Sequence, residues 1–131
     1  MRDRDLNALM EILGTRGRFG HREHLELAWT YLGQYQIDIA KRAMASAIRH
    51  VAGLHGAPDR YHDTITLSWV HLVAVHRQGS DARSFEDFIA DHPGLLDRHL
   101  LDRHYSAERL AAADARVGWT EPNLLELPIL T

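Results

Sequence analysis

A chain of 131 residues, 45% apolar and 25% charged, is long enough to bury the core of one domain without covalent staples. Its net charge of −3 gives no electrostatic case for nucleic acid or an anionic membrane, and the absence of cysteine excludes disulfides, thiolate catalysis and cysteine-based zinc sites. No apolar run approaches the roughly 18–20 residues of a bilayer span, and MRDRDLNAL lacks the apolar stretch of a signal peptide, so the expected location is the cytoplasm.

Period-3.6 patterning dominates and period-2 alternation is absent, which reads as all-α. A first short helix covers about residues 3 to 13, and GTRGRFG breaks it. The second runs from about His21 to Tyr35 and the third from about Asp38 to Leu54, where Gly56 and Pro58 end it. The fourth, from about Arg60 to Gln78, is apolar around most of its circumference, as suits a central buried helix. Ser84 caps the short SFEDFIADH, a further helix is expected over about 95–104, and Ser106 opens AERLAAADARV. The tail WTEPNLLELPILT, with two prolines, is expected to lie extended along the surface. Together these make a single domain: a compact bundle of four principal helices with short accessory helices.

Ten histidines stand out. At about 100° per residue, with His21 taken as zero, Leu32 falls at about +20°, Leu25 at about +40° and His24 at about −60°. His21 and His24 thus share the apolar stripe of the second helix, close enough to share an ion, whereas Glu23 and Glu26 are expected to face solvent. His62 lies on the stripe of the fourth helix with Trp69. His76, fourteen residues further on, is about 21 Å away and cannot join it. His71 is expected at the surface or an interface.

In an up-down bundle the second and fourth helices are parallel, so His21, His24 and His62 converge at one end. Three imidazoles with an open fourth position are the pattern of a catalytic divalent metal site, with zinc or copper favoured and iron possible. Tyr61, Thr64 and Tyr105 are candidate catalytic hydroxyls beside that metal. Thr66 and Trp69 are candidates for its pocket, and His104 is a possible fourth ligand. The expectation is a metal-dependent enzyme acting on a small-molecule substrate. A metal-free histidine acid–base enzyme and a non-catalytic helical interaction or regulatory protein stand as alternatives, the last with a possible homodimer through the apolar fourth helix.

HREHLELAWTYL, YHDTITLSWVHLV and RHYSAERLAAADARVGWTEPNLLELP together resemble a family of small bacterial all-helical proteins of unknown function, over most of the chain from Phe19 onward. The resemblance implies a bacterial cytoplasmic protein and supplies no catalytic residue.

Overall fold

The apolar stripes read from the sequence do form helices in the computed structural model of the chain, which describes residues 2–131. The principal helices are α1 (Asp3–Arg16), α2 (His21–Leu32), α3 (Ile37–Leu54) and α4 (Asp63–Gln78). The short ones are α5 (Phe85–Asp91), α6 (Ala107–Ala111) and α7 (Ala113–Val117), with 3-10 turns at Pro58–Arg60, Pro93–Leu96 and Arg98–Arg103. The fold is all-α, with no strand among the described residues, and none of their helices is long and apolar enough to cross a membrane.

Helix α1 runs about a turn into GTRGRFG, past the expected end at Leu13, because Gly17 rather than Gly14 supplies the stop. At φ +69° it takes the left-handed conformation that side chains resist, and its N–H reaches the Leu13 carbonyl. Helix α4 is the axis of the bundle, packed on α2 and α3, with Val70, Leu72 and Val73 buried in one core with Leu25, Ala28, Met44 and Ala47. Burying such a side chain contributes roughly 1.5–3 kcal/mol, so these contacts fix which helices neighbour one another. Helices α2 and α4 run parallel. The His21 ring meets Trp69 at 4.5 Å between centroids, and two turns further on the Arg77 guanidinium lies 4.6 Å from the Trp29 ring centroid.

Two helical expectations are corrected. Residues 95–104 form no continuous helix: Asp97 is extended (φ −84°, ψ 107°), and its carboxylate accepts from the His99 N–H, so two 3-10 turns flank it. AERLAAADARV divides into α6 and α7 because Ala112 turns to ψ 142°.

The C-terminal tail runs along α4. The Thr64 hydroxyl, fully buried, donates to the Gly118 carbonyl (2.9 Å) and accepts from the Thr120 N–H (3.1 Å). The Tyr105 hydroxyl donates to the Thr120 carbonyl, the Leu124 and Leu125 N–H groups donate to the His104 and Arg103 carbonyls, and His71 Nε2 donates to the Pro128 carbonyl. Replacing Thr64 by Val keeps the shape but leaves two polar backbone groups without their partner. The expected loss is about 1–3 kcal/mol in denaturant unfolding; an unchanged midpoint would show that the tail does not depend on this hydroxyl.

Candidate functional site

Helix α2 begins at a polar hinge. Gly20 is its N-cap, and Glu23 folds back so that Oε1 accepts from the Gly20 N–H at 2.7 Å. This corrects the expectation that Glu23 faces water: it is 2% exposed. The turn orients His21 and His24 toward one cleft of about 590 Å³, lined also by Phe19, Ile65, Trp69, Leu101 and Leu110, with Arg60, Arg98 and Asp102 as its charged members.

His21 Nε2 lies 2.8 Å from the Leu95 carbonyl. A carbonyl only accepts, so Nε2 carries the proton and Nδ1 keeps its lone pair. Burial pushes the pKa of this imidazole down, the Leu95 bond opposes that shift, and nearby Arg98 adds to it. His24 stacks with Phe19 at 4.9 Å, and no described residue hydrogen-bonds to its ring nitrogens. Burial, reinforced by His21 and opposed by Glu23, pushes His24 down to about 4. Both rings are therefore neutral at pH 7, each with one donor and one acceptor nitrogen.

His62 does not join them, which corrects its expected role as third ligand. It is the N-cap of α4: Nδ1 accepts from the Ile65 N–H (3.1 Å) and Nε2 donates to the Leu110 carbonyl (2.7 Å). Both nitrogens are committed, and no lone pair is left for a metal. Among the described residues no group of three or more His, Asp or Glu side chains is arranged to hold an ion.

The hydroxyls placed around the expected site are structural pins. Thr64 and Tyr105 hold the tail, Thr66 Oγ1 donates back to the His62 carbonyl, and Tyr61 donates to Asp63 beside Arg49 in a different cleft. His104 Nδ1 donates to the Leu125 carbonyl (2.9 Å) and is likewise a tail anchor rather than a fourth ligand. Trp69 does line the cleft, edge-on to His21. His76, as expected from its distance along α4, lies elsewhere, against the His92 ring.

Phe19, Arg60, Arg98 and Leu101 also line the cleft, although helical periodicity points to none of them. Phe19 immediately precedes the Gly20–His21 cap and was legible as its flank. The other three come from irregular segments, whose direction no periodicity records. The chain matches no protein-family model, no curated protein and no solved structure.

Proposed function

We propose that the cleft at the start of α2 is the active site of a small-molecule enzyme in which His21 and His24 transfer and orient protons without a metal. One observation carries this reading: two neutral imidazoles stand side by side in a partly apolar cleft, and the His24 nitrogens have no hydrogen-bond partner among the described residues. His24 is the proton acceptor. Burial in the cleft disfavours its charged form, and negative charge developing on the substrate offsets that cost during transfer. His21, locked by Leu95, offers Nδ1 as a fixed acceptor for a substrate O–H or N–H.

A second reading keeps the metal. The i, i+3 spacing and the neutral state of both rings suit ligation of zinc, copper or iron. With His62 committed, however, the pair supplies two protein ligands where catalytic zinc sites use three, and the guanidiniums of Arg60 and Arg98 oppose a cation.

The test is incubation of tag-free protein with a pool of small metabolites, followed by mass spectrometry. The wild type should deplete at least one component, and His24→Gln should slow that loss by about 10²–10⁴-fold while retaining its circular dichroism. Chelator should change nothing. An untouched pool, or equal depletion by both proteins, contradicts the proposal; loss of turnover with chelator transfers it to the metal reading.

A further inference from the structure

Three charged residues, Arg60, Arg98 and Asp102, line the cleft. Arg60 closes the 3-10 turn before α4, and Arg98 opens the turn Arg98–Arg103, so two exposed arginines from separate segments of chain line the cleft. Neither donates a hydrogen bond or forms an ion pair among the described residues. Arg4, Arg18, Arg42 and Arg83 are likewise without an ion pair among the described residues, whereas Arg16 and Arg22 are both bound to Glu86 and Arg49 is paired with Asp63. The carboxylate that lines the cleft, Asp102, is engaged 3.1 Å from His99 Nδ1. Two arginines against one carboxylate leave the lining with one positive charge in surplus, while the Asp97 and Glu23 carboxylates act on the imidazoles from beside it. Trp69, Phe19, Leu101 and Leu110 supply apolar surface in the same space.

Resting on the reading of this cleft as a small-molecule site, we infer that its ligand is a small organic anion, with a carboxylate or phosphate headgroup held between Arg60 and Arg98 and an apolar body laid against Trp69. Guanidinium forks match both headgroups through paired N–H donors. A volume of about 590 Å³ suits a molecule of modest size rather than a bare ion. The body places its reactive atoms against the imidazole pair, because His21 and Trp69 are in ring contact.

The experiment titrates phenylacetate, phenyl phosphate and the neutral phenylacetamide into isotope-labelled protein, reading the ring resonances of His21 and His24 by nuclear magnetic resonance. At least one anion should bind tenfold or more tightly than the amide. Arg60→Gln and Arg98→Gln should each cost that anion about tenfold, while leaving the amide unchanged. Preference for phenyl phosphate assigns a phosphate headgroup, and preference for phenylacetate a carboxylate; either supports the inference. Equal binding of all three overturns the anion assignment yet leaves the cleft reading standing, since the histidine rings still respond. A set of probes that leaves both rings unmoved at millimolar concentration overturns both.

Discussion

Acidification from pH 7 to pH 4 is expected to destabilise the fold by about 3 kcal/mol through His24 alone. The sign follows from proton counting. In the unfolded chain the imidazole titrates at its ordinary 6.5, whereas in the folded chain burial holds it down to about 4. Between those values the unfolded state binds more protons, so stability rises with pH across the window. It is complete above about pH 6.5 and lost as the pH falls to about 4. His21 is displaced in the same direction and adds to the slope. For a chain of this size the loss corresponds to roughly 10 °C in melting temperature. His24→Gln, which cannot titrate, should show a much flatter profile in melts recorded across the window. Parallel wild-type and variant profiles would mean that His24 reaches water freely in the native state.

His62→Ala should cost about 2–4 kcal/mol, combining a lost helix cap with a carbonyl left without its donor. The cap is the Nδ1 bond from the Ile65 N–H, and the carbonyl is that of Leu110, which the ring ties to the start of α4 across 48 positions of sequence. The same variant should leave the His21 and His24 ring resonances nearly unmoved, because those rings hold no bond to His62. Large stability loss with an undisturbed imidazole pair is the signature of a clamp. Small loss with a disturbed pair would restore His62 to the site. Chemical denaturation and a single ring spectrum decide between them.

The contrast between His62 and His24 shows where the sequence was informative. Helical periodicity placed α2 and α4 correctly, their short connections made them parallel, and the shared stripe brought His21 and His24 to one cleft. Each of those steps depends only on the 3.6-residue repeat. His62 sits one residue outside α4, where the repeat no longer assigns a direction, and Leu110, its partner carbonyl, belongs to a one-turn helix far along the chain. Histidine accepting at an N-cap is also uncommon beside Ser, Thr, Asp and Asn, so no capping signature marked it. Glu23 departs from its expected exposure for a related reason: its angle on the helix points away from the core, yet a carboxylate in the first turn can fold back onto the cap. Arg60 and Arg98 come from 3-10 turns, and their convergence is a product of tertiary packing alone.

The most direct test of the account is the protonation state of the two α2 imidazoles, read from long-range proton–nitrogen correlation spectra as the pH is lowered from 8 to 4. The account predicts that His24 stays neutral until about pH 4 and that His21 stays a single Nε2–H tautomer above its own depressed transition. A His24 ring that gains its proton near 6.5, as in an open chain, with His21 exchanging between tautomers, would contradict the half-buried neutral pair on which the proposed chemistry rests.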